Sequence, residues 1–205
     1  MAQYFKIHPD NPQPRLIKQA AVILRQGGVI AYPTDSCYAL GCLVDNRPAL
    51  ERILRIRGLE PDHLFTLICR DLSGISELAS IDNSAFRLIK SLTPGPYTFI
   101  LKASREVPKR LQNPKRKTIG LRVPDNKICQ ELLAETGGPL LSTSLVLAQG
   151  DGPEGDPELI RDKIGNLIDL VIDAGTMGTD ETTIIDLSGD ATEVVRYGKG
   201  DISRI

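Results

Sequence analysis

The chain has 205 residues, 41% hydrophobic and 25% charged, the balance of a soluble globular protein and enough chain for one sizeable domain. No apolar run approaches the ~20 residues of a membrane span, and the N-terminus lacks the basic and apolar regions of a signal peptide, so a cytoplasmic protein is expected. Net charge is −1, but residues 1–149 carry 20 Lys/Arg against 13 Asp/Glu, and residues 150–205 carry 5 against 13. Such asymmetry points to an anionic partner for the first part, or to neutralisation between the parts in the fold.

A helix is expected from Pro12 to Gln26, with prolines in its first turn, Leu16, Ile17, Ala20, Ile23 and Leu24 on one face, and Gly27-Gly28 as its stop. A strand follows over Val29–Tyr32. Asn46 then caps a helix that Gly58 ends. Leu64–Cys69 reads as a strand and Asn83–Leu92 as a helix ending before the breaker Thr93-Pro94-Gly95-Pro96. Strands are expected at Tyr97–Lys102 and Ile119–Val123, a helix at Asn126–Glu135, and a strand at Leu140–Thr143. Asp156-Pro157 opens a further helix. Ile168–Ile172, Thr183–Leu187 and Glu193–Tyr197 close the chain as strands. The alternation predicts an α/β (or α+β) fold with one mixed sheet, without repeats or low-complexity tracts. The candidate linker is residues 148–155, either a loop over a site or a surface loop.

The chemistry-bearing residues fall into four groups. In "YPTDSCYALG" (32–41) a buried strand ends in Thr34, Asp35, Ser36 and Tyr38; a turn, or a ligand at the strand's carboxyl end, would account for them. Arg52, Arg55 and Arg57 end a helix, where positive charge is stabilising in any case, yet arginines also clamp phosphate bidentately. Ser142-Thr143-Ser144 is a hydroxyl run that suits an oxyanion or a solvated strand end. The run Arg105–Lys117 holds Lys109, Arg110, Lys115, Arg116 and Lys117, a density fit for nucleic-acid phosphates or simply for a solvated loop. Neither common glycine-rich phosphate loop is present. Cys37, Cys42, Cys69 and Cys129, with His8 and His63, match no zinc spacing and read as free thiols; Cys37 is set apart only by its place in the first group.

Taken together, these stretches resemble the YrdC/YciO family, which includes threonylcarbamoyl-AMP synthases. "YPTDSCYALG" is similar to the family's P-T-D-T-x-Y-G-L-G, "TPGPYTFIL" (93–101) to its P-G-P-x-T, "IGLRVPDN" (119–126) to its R-x-P, and "TTIIDLSGDATEVVRYG" (182–198) to its closing segment. "YFKIHPDNPQ" and "RIRGLEPDHLFTLICRDLS" resemble the YciO branch. The resemblance implies one YrdC-like domain over residues 1–205 and a twisted sheet with a large basic concave face; because the chain stops soon after Tyr197-Gly198-Lys199-Gly200, no extra C-terminal domain is expected. The resemblance also implies ATP as substrate, and double-stranded RNA or tRNA as a partner; Mg2+ is expected because ATP usually arrives with it. In the synthases, threonine and bicarbonate give a carbamate whose carboxylate attacks the α-phosphate of ATP and expels pyrophosphate, a step in tRNA modification. Carried over, Arg55 and Arg57 neutralise the triphosphate, Ser142, Ser144, Arg122 and Arg196 meet the nucleotide, and Thr34 and Tyr38 line the amino-acid side. Lys109, Arg110, Lys115, Arg116 and Lys117 would contact RNA.

Two positions depart from the pattern. Arg55-Ile56-Arg57 stands for the synthases' K-x-R, and Ser144-Leu145-Val146 for their S-x-N, so an amide becomes an alkyl group. Where that amide holds a ligand, its loss costs roughly 1–3 kcal/mol. A non-catalytic RNA-binding protein and an acyl-adenylate hydrolase are the competing readings.

Overall fold

The computed structural model describes residues 1–147 and 152–205. The chain runs β1 (Gln3–Lys6), α1 (Pro14–Arg25), β2 (Ile30–Tyr32), β3 (Ala39–Leu43), α2 (Arg47–Arg57), β4 (Thr66–Ile68), α3 (Leu72–Leu78), β5 (Ala79–Ser80), α4 (Asn83–Leu92), β6 (Tyr97–Ala103), β7 (Thr118–Arg122), α5 (Lys127–Thr136), β8 (Leu140–Ser144), α6 (Pro157–Ile164), β9 (Leu170–Asp173), β10 (Thr183–Asp186) and β11 (Glu193–Arg196). Local chemistry sets the helix ends. Asn46 and Asn126 accept the Ala49 and Cys129 N–H groups at the starts of α2 and α5, and Asp156 accepts from Glu158 at the start of α6. Gly58 and Gly137 close α2 and α5 in the left-handed region, at φ 61° and 75°.

The strands form one mixed sheet in the order β1-β9-β2-β3-β8-β4-β7-β6-β10-β11, with β5 pairing off this path to β6. The β1–β9, β2–β9, β4–β7 and β6–β10 pairs are parallel and the others antiparallel. The expected α/β class with a mixed sheet is therefore the observed one. Four elements carry too weak a pattern to be read from sequence. Edge strand β1 is only half-buried, β3 follows the hydroxyl cluster without alternation, α3 is seven residues long, and β5 is two. Of the candidate linker, expected either as a loop over a site or as a surface loop, residues 148–151 lie outside the described residues. Among the described residues no helix is long and apolar enough to cross a membrane.

The two faces of the sheet are covered unequally. One face, with Leu40, Leu67, Phe99, Leu121, Leu141 and Ile185, packs against α2, α3, α4 and α6 in the larger core. On the other face α1 and α5 cover Ile30, Tyr32, Ala39, Ile68, Leu140 and Leu170. That second core ends at β4. Beyond it, on β7, β6 and β10, the same face presents Gly120, Arg122, Thr98, Ile100 and Ile184, none of which belongs to it. A sheet face without a covering helix and with glycine and threonine in place of large apolar side chains leaves a cavity rather than a core.

Candidate functional site on the open sheet face

Strand register assembles the site. Ala39 lies opposite Ser144, Ser142 opposite Thr66, and Thr66 opposite Gly120. Thr98 lies opposite Ile184, and Ile184 opposite Arg196. Side chains alternate along a strand, so these paired positions share one face. All of them but Gly120 line a cavity of about 240 Å³ whose wall also includes Thr34, Cys37, Arg57, His63, Arg122 and Glu181. A more apolar trough of about 240 Å³ adjoins it, sharing Leu64, Thr66, Thr98 and Ile184 and reaching Arg116.

Thr34 ends up serving both roles that the sequence left open. Its hydroxyl accepts the N–H groups of Ser36 and Cys37 and donates to the Cys37 carbonyl at 2.7 Å, which makes a hydroxyl-closed turn, and its side chain also lines the cavity. The turn is held from several sides. Arg122 forms a buried ion pair with Asp35 and reaches the Ser36 hydroxyl at 3.1 Å. Asn126 donates to the Thr34 carbonyl, and Lys199 donates to the Asp35 carbonyl at 2.6 Å.

The three arginines of the cavity differ in their partners. Arg122 is paired with Asp35, and Arg196 with Glu181 at 2.9 Å, with further bonds from Arg196 to Thr182. Arg57 has no carboxylate partner among the described residues. Its one hydrogen bond runs to the Val146 carbonyl at 2.8 Å, and its Nε is buried without a partner. Burial lowers the Arg57 pKa, with Glu181 opposing, but a guanidinium stays charged at neutral pH. A desolvated, unpaired cation on a cavity wall is costly, and an anionic ligand relieves that cost. The Nε of Arg122 is likewise buried and unpartnered.

The remaining sequence-derived residues divide. Ser142 and Ser144 line the cavity; the Ser142 hydroxyl shares a 2.6 Å bond with Tyr32. Tyr38 lies outside it: its ring sits in the larger core, and its hydroxyl donates to the Gly175 carbonyl and accepts the Ala174 N–H. Burial pushes that phenol up to about 12. Arg55 also lies outside, exposed, with its guanidinium on the Glu51 carbonyl of its own helix. In the basic run, Arg110 bonds the Val44 carbonyl and Arg116 pairs with Asp186 and Ser188. Lys109, Lys115 and Lys117 are exposed and have no ion pair among the described residues. The four cysteines are buried and free, as read from sequence. Burial raises Cys37, against the Ser36 and Ser144 hydroxyls, so it is a thiol in the wall rather than a thiolate. Sequence reasoning missed His63, Thr66, Thr98, Glu181 and Thr182. Alternation of hydroxyl or glycine with apolar residues along β4, β6 and β7 was the available signal for Thr66 and Thr98. Among the described residues no group of three His, Cys, Asp or Glu could hold a metal ion.

Fold and site together define an α/β protein with an arginine- and hydroxyl-lined cavity on an open sheet face. The Sua5_yciO_yrdC family model, described as "Telomere recombination", matches residues 22–198, and the chain belongs to that family. It is 57% identical to the uncharacterized protein YciO of Escherichia coli K12 over 98% of each chain. The crystal structure of E. coli YciO superposes with a TM-score of 0.95 at 56% identity, covering 100% of this chain and 99% of that one. A threonylcarbamoyl-AMP synthase of Vibrio vulnificus is 33% identical over 76% of this chain and 84% of its own length. P. abyssi Sua5, solved in complex with L-threonine, superposes with a TM-score of 0.87 at 25% identity over 95% of this chain and 57% of that one.

Proposed function

We propose that the cavity binds ATP beside a small amino-acid-like substrate and carries out nucleotidyl transfer of the threonylcarbamoyl-AMP synthase kind. The observation that carries this reading is Arg57, a half-buried cation without a carboxylate partner among the described residues, on the wall of the cavity that the hydroxyl-bearing strand ends line. Arg57 and Arg196 would neutralise the phosphates, Ser142 and Ser144 would donate to their oxygens, and Thr34 would border the amino-acid end. A carbamate carboxylate attacking the α-phosphate needs alignment and charge neutralisation more than a protein nucleophile, which matches a wall of cations and hydroxyls. Magnesium would arrive on the ATP. The threonylcarbamoyl-AMP synthase relatives and the threonine-bound Sua5 support the amino-acid half of the reading.

The test is pyrophosphate release from ATP with and without threonine plus bicarbonate, in the wild type and in Val146→Asn. Val146 offers the carbonyl that holds Arg57, so the substitution falls at a residue in direct contact with the key cation. Threonine-dependent release by the wild type supports the reading. Release by the variant alone means a competent cavity limited at one position. Silence from both removes synthase chemistry.

A second reading has its own observation, the three exposed lysines 109, 115 and 117, which have no ion pair among the described residues. If they hold RNA phosphates, replacing all three by alanine lowers the salt slope of RNA affinity by about 2–3. An unchanged slope removes that reading.

A further inference from the structure

His63 is a cavity residue to which neither the sequence motifs nor the proposed chemistry gives a role. It stands on the loop between α2 and β4, its N–H bonded to the Glu60 carbonyl and its ring edge-on to Phe65 at 5.1 Å. The imidazole is half-buried in the same wall as Arg57, and among the described residues its ring nitrogens have no hydrogen-bond partner. The groups around it are Arg57 from α2, Asp62 from its own loop, and, across the cavity, Cys37, Arg122, Glu181 and Arg196. The carboxylate of Glu181 is engaged by Arg196, and Asp62 is exposed.

We propose that His63 is a phosphate-binding residue of this cavity that takes up a proton as the anion enters, which rests on the nucleotide reading above. Without ligand, burial first and Arg57 second hold the imidazole below its ordinary 6.5, with Asp62 opposing, so it is neutral at pH 7. A polyphosphate reverses the local field: it offsets Arg57 and adds negative charge beside a ring nitrogen open to the cavity. The protonated form is then favoured in the complex, and binding strengthens as pH falls between the bound-form and free-form values.

The chain has two histidines, so the imidazole C2 proton signals are simple to assign through His63→Asn. His8, exposed near the N-terminus and outside the cavity wall, gives the second signal for comparison. Titrating the full chain with and without saturating ATP should raise the His63 midpoint by about one unit and leave His8 in place. Wild-type affinity should then gain about tenfold on acidification relative to His63→Asn, a comparison that subtracts the titration of ATP itself. His63→Lys should bind tightly without that pH dependence. ATP binding with an unmoved His63 midpoint overturns the proposal and leaves the nucleotide reading standing. Failure of both ATP and pyrophosphate to bind overturns the two together.

Discussion

Arg55 and Arg57 stand two residues apart on α2 and meet opposite surroundings. Two residues advance a helix by about 200°, so when one guanidinium faces the cavity the other faces solvent. The sequence put both near the site and could not choose between them, because which helix face packs is a tertiary fact. Tyr38 differs from Thr34 for a similar reason: the turn sends Thr34 to the open face and Tyr38 into the core. The hydroxyl cluster itself was legible, since a turn alone does not require so many polar groups after a buried strand. The Arg122–Asp35 pair gives a residue-scale prediction. Both side chains are buried, so Arg122→Ala strands a carboxylate and should cost about 3–5 kcal/mol in urea unfolding. A loss below about 1 kcal/mol would show that the pair does not hold the Thr34 turn.

At the scale of elements, caps and breakers were the most readable features. Asn46 and Asp156 bond as their positions implied, Asn126 caps the helix it was expected to begin, and α4 has the expected bounds. Gly58 is required by its positive φ, while a Cβ there would meet nothing within 4 Å. Gly58→Ala should therefore cost only the left-handed strain, about 1–2 kcal/mol in thermal or urea unfolding. A much larger loss would mean that the end of α2 has moved. Strand β10 carries a pH-dependent contact. Burial acts to raise the Asp186 carboxyl, but the Ser188 hydroxyl and N–H and the Arg116 guanidinium outweigh it and hold it below its ordinary value. A depressed folded-state value means that the contribution is complete above about pH 5 and is lost as pH falls through the folded value. Asp186→Asn should lower the urea midpoint at pH 7 and show a smaller further loss at pH 3 than the wild type. Parallel losses at both pH values would contradict this. What the sequence hid at this scale was which strands neighbour one another. The site joins residues of β4, β6, β7, β8 and β10, and their register is set by long-range pairing that no local pattern encodes.

For the molecule as a whole, the uneven charge resolves into two parts. Some of it closes internally, where Arg52 meets Asp169 and Arg116 meets Asp186, tying the basic body to the acidic segment. Of the remaining cations, Arg57 stands on the cavity wall, and Lys109, Lys115 and Lys117 on the exposed basic run. An open sheet face with a cation that has no carboxylate partner among the described residues is the feature on which the functional reading depends. The most direct measurement is calorimetric titration of ATP into the wild type, Arg57→Ala and Arg55→Ala. The account predicts that Arg57→Ala weakens binding about ten- to a hundredfold, the size of a lost charge-assisted hydrogen bond, while Arg55→Ala binds as the wild type does. Equal affinity in all three, or a loss confined to Arg55→Ala, would contradict it.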